Sequence, residues 1–209
     1  MIAAAKKTTK IFWFDLKESS KAVVGIPGMN NVCKYNQLQI QCGFTMVELL
    51  VTLSLASILL SVAVPSYRTF TQDNLMVVHS NNFASSITLA KSEAIRRSSQ
   101  ATMCPSTNGT SCTGGTVWSD GWLVFADANG NGVVDAGDQI LHVNAALSGG
   151  NTLRSGPTRT RVTFTANGFS SGFNGTFSLC DSRGATYSRA LVLNNQGRLR
   201  SETGTGTCG

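Results

Sequence analysis

Two arginines two positions apart, Arg198 and Arg200, are the side chains whose type and spacing best suit binding chemistry. If their segment is extended, its two-residue period places both guanidinium groups on one face, about 6.6 Å apart, and Leu199 on the other. That separation suits neighbouring phosphates of a nucleic-acid strand, which guanidinium groups bind through paired N–H donors. We expect Gly197 to let a phosphate approach closely, because it has no side chain and permits an unusual backbone angle. The alternative is a solvated edge strand whose charges prevent aggregation.

The part of the chain around this pair is rich in arginine. Residues 151–209 contain seven Arg against two acids, and Lys91 is the only lysine after residue 43. Such a region is typical of a nucleic-acid binder, although solvated surface charge is an open alternative. Five further arginines are candidates to extend or widen the patch: Arg183 and Arg189, and then Arg154, Arg159 and Arg161.

A second candidate site is a run of acids and asparagines that matches the calcium-loop template D-x-[DN]-x-[DN]-G. Its positions one, three, five, six, nine and twelve are Asp127, Asn129, Asn131, Gly132, Asp135 and Asp138. Position twelve is Asp instead of the longer Glu, and the flanking segments are typical of strands instead of helices. The alternative is a hairpin whose Asn and Gly residues supply positive φ angles and whose acids are solvated. Calcium is the one cofactor that the sequence leaves open.

Four cysteines follow residue 64, and an even number in an exported domain indicates disulfides. Four cysteines allow three pairings. We favour Cys104–Cys112, which closes a short loop, and Cys180–Cys208, which pins the end of the domain. A zinc site is not expected, because there is no C-x-x-C pair and the two histidines are isolated.

No arrangement of nucleophile and base predicts an enzyme. Residues 168–172 fit G-x-S-x-G by letter, but a nucleophile elbow needs a preceding strand, a following helix and a downstream histidine. No histidine follows His142, and a strand is expected after this segment.

An apolar segment precedes all of these residues. Residues 44–64 contain one charge, Glu48, and end before Pro65. A helix of that length is about 31 Å long, which is the thickness of a bilayer's hydrocarbon core, so we expect a transmembrane helix. A carboxylate inside such a helix is costly and indicates a function. Residues 1–43 carry six lysines, so we expect this end of the chain to lie in the cytoplasm, with Met29 as an alternative start of translation.

The helical pattern continues after Pro65, which should kink the helix without ending it, and residues 65–98 are expected to form its amphipathic continuation. The apolar stripe comprises Leu75, Val78, Phe83, Ile87, Ala90, Ala94 and Ile95. From residue 99 the chain predicts a β-rich domain that extends to residue 209. Strands are expected at residues 121–126, 139–143, 161–165, 176–180 and 190–193, with a turn at 194–197 and a return segment at 198–200.

Residues 43–50, Gly-Phe-Thr-Met-Val-Glu-Leu-Leu, resemble the processing site and helix start of type IV pilins and type II secretion pseudopilins. The resemblance implies that a prepilin peptidase cuts after Gly43 and methylates the new amino terminus at Phe44. It also implies that Glu48 pairs with the terminal amine of a neighbouring subunit, which would supply the cation that a carboxylate among leucines needs. The alternative is an ordinary signal anchor with a stray glutamate.

The layout of the elements resembles the FimT/GspH branch of the pilin superfamily. This resemblance implies an α+β fold, in which a long N-terminal helix packs on an antiparallel β-sheet domain. Residues 197–200, Gly-Arg-Leu-Arg, resemble the GRxR motif of FimT minor pilins, which bind DNA during natural transformation.

We therefore expect a minor pilin with its helix in the inner membrane and its domain in the periplasm, assembled with other pilins into a filament. It would bind extracellular DNA without sequence preference, because nothing in the patch is suited to reading base edges. The alternative is a structural protein without DNA binding. It would be a GspH-like pseudopilin of a type II secretion system, or a minor pilin that primes pilus assembly.

Overall fold

The computed structural model describes residues 44–170 and 172–208. The predicted leader, residues 1–43 with the cleavage position Gly43, lies outside the described residues. One helix, α1 (Met46–Arg97), runs for 52 residues and continues through Pro65, as the apolar pattern beyond that proline predicts. The hydroxyl of Thr69 donates to the Pro65 carbonyl oxygen at 3.2 Å, inside the same stretch of helix.

The first part of α1 is apolar and exposed. Every side chain from residue 46 to residue 71 is exposed, including Leu50, Ile58 and Leu60. Among the described residues, α1 is the one helix that is long and apolar enough to cross a membrane. It contains residues 46–64 of the predicted membrane span, 44–64.

The second part of α1 buries one stripe against the β-strands. The apolar residues of this stripe are three, four or seven positions apart, and they are Met76, Phe83, Ile87, Ala90 and Ala94. Val78 and Ile95, which the sequence assigned to the same stripe, are each 49% exposed. The reason is geometric, because they are turned about 140° from Phe83 and about 100° from Ala94.

Eight strands follow the helix within the described residues. They are β1 (Gln100–Pro105), β2 (Trp122–Asp127), β3 (Gln139–Asn144), β4 (Thr152–Ser155), β5 (Val162–Phe164), β6 (Gly175–Cys180), β7 (Arg189–Leu193) and β8 (Leu199–Thr203). They form two antiparallel sheets with the orders β3-β2-β1-β5 and β4-β6-β7-β8. A single 3-10 turn, Ala185–Tyr187, lies between β6 and β7. The predicted fold class, a long helix on an antiparallel β-domain, is confirmed, whereas β1 and β4 were not predicted.

The helix packs on both sheets through a group of aromatic side chains. The ring of Phe83 lies 5.5 Å from Trp122 of β2, 4.8 Å from Phe177 of β6 and 5.7 Å from Trp118. The indole N–H of Trp122 donates to the Ser86 hydroxyl at 2.9 Å, so its polar atom is satisfied inside the core. These contacts fix the second sheet, which carries the arginine pair, against the helix.

Candidate nucleic-acid interface

The hairpin between β7 and β8 positions the predicted arginine pair. The side-chain oxygen of Asn194 accepts hydrogen bonds from the backbone N–H groups of Gln196 at 3.1 Å and Arg198 at 2.9 Å. The backbone of Asn194 also bonds the N–H of Gly197 and the carbonyl oxygen of Arg198. An asparagine at a turn commonly closes it through its own side chain. The turn therefore fixes the point at which β8 begins.

Arg198 and Arg200 are both exposed at the end of this hairpin. Leu199 lies opposite Leu193 and packs on the core, whereas Arg200 lies opposite Val192 on the other face of the sheet. The Arg200 side chain is 71% exposed. Within the described residues, the Arg198 guanidinium has no hydrogen-bond or ion-pair partner. The two cations are thus available to a ligand from solvent.

Arg200 shares its face of β8 with an acid, Glu202, which was not among the predicted site residues. Its Nε lies 3.1 Å from Oε1 of Glu202, and the two side chains are 71% and 43% exposed. The two-residue period would have identified this neighbour, since position 202 is two residues beyond Arg200. Exposed ion pairs of this kind contribute about 0–1 kcal/mol, so an incoming phosphate can displace the carboxylate.

Gly197 faces the inside of the domain, which corrects the role expected for it. It is buried and has a φ of 69°. A Cβ at this position would lie 2.7 Å from Cε1 of Phe164 and 2.8 Å from the carbonyl oxygen of Gly168. Glycine is therefore required by the turn and by packing, and its missing side chain does not open space for a phosphate.

Arg183 is held by two carboxylates and does not extend the patch, contrary to expectation. Its Nη2 donates to Asp181 Oδ2 at 2.6 Å and to Asp73 Oδ1 at 2.8 Å. Its guanidinium also lies 4.3 Å from the ring centroid of Tyr187, and the side chain is 15% exposed. The hydrogen bonds to Asp181 raise the pKa of Arg183 above its usual value. The group is a structural cation.

Arg189 and Arg161 are both half-buried, unlike the exposed pair. Arg189 is half-buried and occupies the strand face of Leu191 and Leu193, which point to the core, whereas Arg200 is on the other face. The guanidinium of Arg161 lies 5.6 Å from the ring of Phe173. The remaining candidates, Arg154 and Arg159, line a groove on the outer face of the second sheet.

The first acid of the predicted calcium loop is part of the core. Asp127 ends β2 and is 0% exposed. Its Oδ2 accepts hydrogen bonds from the Thr102 hydroxyl at 2.7 Å and from the Gly132 N–H at 3.0 Å. Those bonds hold the loop closed over the end of the strand.

The remaining residues of the loop bond to one another. Asn129 and Asn131 donate to Oδ2 of Asp135 at 3.0 and 2.7 Å, which lowers the pKa of Asp135. Asp138 accepts from the Asp135 N–H at 3.0 Å. Within residues 44–170 and 172–208, no three Asp, Glu, His or Cys side chains are grouped closely enough to hold a metal ion. The two alternatives for this loop, a calcium site and a hairpin without an ion, both stay predictions.

Both favoured disulfides are formed in the structure. Cys104 is bonded to Cys112, and Cys180 to Cys208. The first closes the loop after β1, beside a small apolar cluster that includes Leu123. The second joins the end of β6 to residues 204–208, called the tail here. The tail is further held by the Thr207 N–H, which donates to the Ser178 hydroxyl at 3.1 Å.

Two family models match this chain. One, described as "Prokaryotic N-terminal methylation motif", matches residues 39–64. The other, described as "Type II transport protein GspH", matches residues 79–197, which is more than half of the chain. The chain belongs to the GspH family. It is accordingly a minor type IV pilin or a GspH-like pseudopilin, anchored to the membrane by its apolar helix.

Solved structures of one pilin are similar to this GspH-family chain. The type IV minor pilin FimU of Pseudomonas aeruginosa strain PAO1, in a P21 crystal form, is 20% identical, with a TM-score of 0.52. That match covers 65% of this chain and 93% of FimU, and it shows a shared fold. A P65 crystal form of FimU, also 20% identical, has a TM-score of 0.46, with 60% and 90% of the two chains covered. No curated protein matches the chain.

The two family matches bear differently on the predicted site residues. The methylation motif includes Phe44 and Glu48, and Glu48 lies in the first turn of α1. Membership in a pilin family carries with it association with other pilins and processing by a prepilin peptidase. The GspH match ends at Gly197, so Arg198 and Arg200 lie beyond it.

Proposed function

We propose that this protein is a minor pilin that binds double-stranded DNA through Arg198 and Arg200 and promotes DNA uptake in natural transformation. The observation that supports this proposal most is the exposure of both guanidinium groups at one end of the β7–β8 hairpin. Consecutive side chains on one face of a strand are about 6.6 Å apart, which suits adjacent phosphates. Phosphate contacts carry no sequence information, so the binding is independent of sequence.

The affinity of one such site is modest and depends on salt. Two arginines release few counterions, and Glu202 competes with phosphate for Arg200. Several copies in one filament would bind the same DNA molecule with much higher apparent affinity, because the later contacts are intramolecular. A weak single site is therefore compatible with DNA capture by an assembled pilus.

The test is DNA binding by the full-length protein in detergent micelles, measured by fluorescence anisotropy over a series of salt concentrations. The double variant Arg198→Ala/Arg200→Ala should flatten the slope of log K against log salt by about 1.8, at about 0.9 per lost phosphate contact. Glu202→Gln should bind DNA more tightly than the native protein, because it removes an acid 3.1 Å from Arg200.

Arg96→Ala is the matched control, because Arg96 is also an exposed arginine paired with an acid, Glu93, and lies at the end of α1. It should leave the slope unchanged. If the double variant and the control bind DNA alike, Arg198 and Arg200 are not the DNA site.

We also infer that a prepilin peptidase cleaves after Gly43 and methylates Phe44, and that Glu48 then pairs with the terminal amine of a neighbouring subunit. The match of the methylation motif to residues 39–64 supports the processing step. The exposed apolar side chains of the first part of α1 support an inner-membrane location, with the β-domain in the periplasm before assembly.

Mass spectrometry of the mature protein should find a methylated amino terminus at Phe44. Glu48→Gln should keep the protein in the membrane but exclude it from filaments, because the amine of the neighbour loses its counter-charge. Ser57→Ala, on the same exposed part of α1, should assemble normally. Normal assembly of the Glu48 variant would contradict the inferred pairing.

The second candidate function is purely structural, as a GspH-like pseudopilin of a secretion system or a pilin that primes filament assembly. The observation that favours it is the GspH match, which ends before Arg198. The same salt series separates the two candidates, because a structural pseudopilin would not bind DNA more tightly than the double variant does. Neighbouring genes for competence or for secretion would add an independent indication.

A further inference from the structure

A polar groove of about 780 Å³ lies on the outer face of the second sheet. Its sides are the tail and the loop after β4, and its floor includes residues of β6. The lining includes two arginines, Arg154 and Arg159, and six hydroxyl side chains, of which Thr158, Thr176, Thr205 and Thr207 are exposed. None of the described residues that line the groove is acidic or aromatic.

The two arginines of the groove differ in how they are held. Arg159 is half-buried, its Nη1 donates to the carbonyl oxygen of Gly172 at 2.6 Å, and its stem lies beside Gly175. Arg154 is exposed, in β4 opposite Ser178. One guanidinium is thus fixed at the wall of the groove and the other can adjust, with no acid beside either of them in the lining.

The floor of the groove continues into the strand that carries Arg200. Strand pairing places Thr176 opposite Val192 and Val192 opposite Arg200, so the three side chains form one row on the same face. Thr176 and Arg200 are two strand spacings apart, which is about 9.6 Å. Thr176 is exposed, so the row is open to a ligand.

The tail bounds the groove on one side and is held at several points. Thr207 bonds to Ser178, and Cys208 is bonded to Cys180. The Gly206 N–H donates to the Ser188 hydroxyl at 2.9 Å. The groove is therefore a fixed feature of the folded domain.

We propose that this groove is a second phosphate subsite, in which Arg154 and Arg159 hold the backbone of the same DNA that Arg198 and Arg200 contact. This inference rests on the proposed function. Guanidinium groups without neighbouring acids, together with hydroxyl donors, suit phosphodiester oxygens. Unstacked bases would need aromatic side chains, so the groove takes the sugar–phosphate backbone of a duplex. The interface thus crosses the sheet from β4 to β8, and the tail forms one edge of it.

The experiment compares full-length variants in detergent micelles by the same salt series on duplex DNA. Arg154→Gln should flatten the slope of log K against log salt by about 0.9. The triple variant Arg154→Gln/Arg198→Gln/Arg200→Gln should have a slope flatter by about a further 0.9 than that of Arg198→Gln/Arg200→Gln. Arg154 is exposed and its side chain has no partner among the described residues, so this variant should fold normally. Arg159→Lys keeps the charge and should retain most of the slope, whereas Arg159→Gln should lose about 0.9.

The outcomes separate the two proposals. If Arg154→Gln and Arg159→Gln match the native slope while Arg198→Gln/Arg200→Gln does not, the groove is not a subsite and the arginine pair alone binds DNA. If none of these variants changes the slope, the proposed function fails and the subsite fails with it. If the groove variants lower the slope and the pair does not, the DNA interface is the groove.

Discussion

Arg183 contacts Asp73 of α1 across 110 residues of sequence, with 2.8 Å between Nη2 and Oδ1. The same guanidinium bonds to the carboxylate of Asp181, whose side chain is 1% exposed. Arg183→Ala would leave that carboxylate without its cation and would remove one of the two side-chain hydrogen bonds between α1 and the loop after β6, the other being from Gln72 to Ser182. We expect a loss of about 1–2 kcal/mol in the free energy of unfolding, because water still screens the pair in part.

Denaturant unfolding of Arg183→Ala measures this loss, and Arg96→Ala is its control. Arg96 is 62% exposed and its carboxylate partner Glu93 also bonds Arg97, so its removal should cost less. DNA binding by the folded Arg183→Ala protein should equal that of the native protein. If the folded Arg183→Ala protein binds DNA more weakly than the native protein, Arg183 is part of the DNA-binding surface.

Gly197→Ala tests whether this glycine serves packing or ligand access. The added Cβ would clash with Phe164 and with the carbonyl oxygen of Gly168, and φ is 69°. Gly150→Ala is the matched control, since its φ is 71° and nothing lies within 4 Å of the added Cβ. The left-handed backbone alone costs about 1–2 kcal/mol, and the clash should add about 1–3 kcal/mol in Gly197→Ala. Equal destabilisation of the two variants would show that the space beside Gly197 is not limiting.

The two disulfides should differ in their contribution to stability. Their cysteines are 8 and 28 residues apart in sequence. Loop entropy then assigns about 2.5 kcal/mol to Cys104–Cys112 and about 3.6 kcal/mol to Cys180–Cys208. In thermal unfolding, Cys180→Ala/Cys208→Ala should therefore lower the melting temperature more than Cys104→Ala/Cys112→Ala does. If Cys104→Ala/Cys112→Ala lowers the melting temperature more, packing around the buried Cys104 outweighs the entropy of the longer loop.

Glu93 should make stability depend on pH in the acidic range. Hydrogen bonds from Arg96, and to a smaller extent from Arg97, lower the pKa of Glu93 from 4.5 to about 2. A carboxylate with a depressed pKa stabilises the fold above pH 4.5, and this contribution disappears as the pH falls to about 2. The difference in melting temperature between the native protein and Glu93→Gln should therefore be constant from pH 7 to 5 and shrink below that range. A difference that persists unchanged at pH 2 would exclude ionisation as its source.

Calcium at millimolar concentration should leave the melting temperature unchanged. Asp135 already accepts hydrogen bonds from Asn129 and Asn131, and Asp138 accepts one from the backbone. A bound ion would have to displace these donors, which is unfavourable without a cluster of carboxylates. A rise in melting temperature that is lost in Asp135→Asn would instead establish a calcium site in this loop.

Local sequence patterns were sufficient for the helix and for most strands. The apolar period predicted that α1 continues through Pro65. Alternation or short apolar runs predicted β2, β3 and β5 to β7. Strand β1 was missed because its sequence, Gln-Ala-Thr-Met-Cys-Pro, is neither an apolar run nor rich in β-branched and aromatic residues, although five of its six residues are buried. Strand β4 was missed because it has only four residues and includes an arginine.

The candidate site was predictable only where it depends on neighbours in sequence. The two-residue period places Arg198 and Arg200 correctly in one exposed segment. The strand period cannot predict that Asp73 of α1 pairs with Arg183, or that Phe164 fills the space beside Gly197. Distant partners decide which arginines are open to a ligand, and only the fold supplies them.

The chain alternates between the two sheets, since β4 belongs to the second sheet, β5 to the first and β6 to the second again. No single cut in the polypeptide can therefore yield one intact sheet on each side. A fragment that stops before β6 would leave β4 without a partner strand, and its unpaired edge would be open to proteases and to aggregation. The β-domain should consequently persist in the cell either whole or not at all, and partly degraded forms should not accumulate.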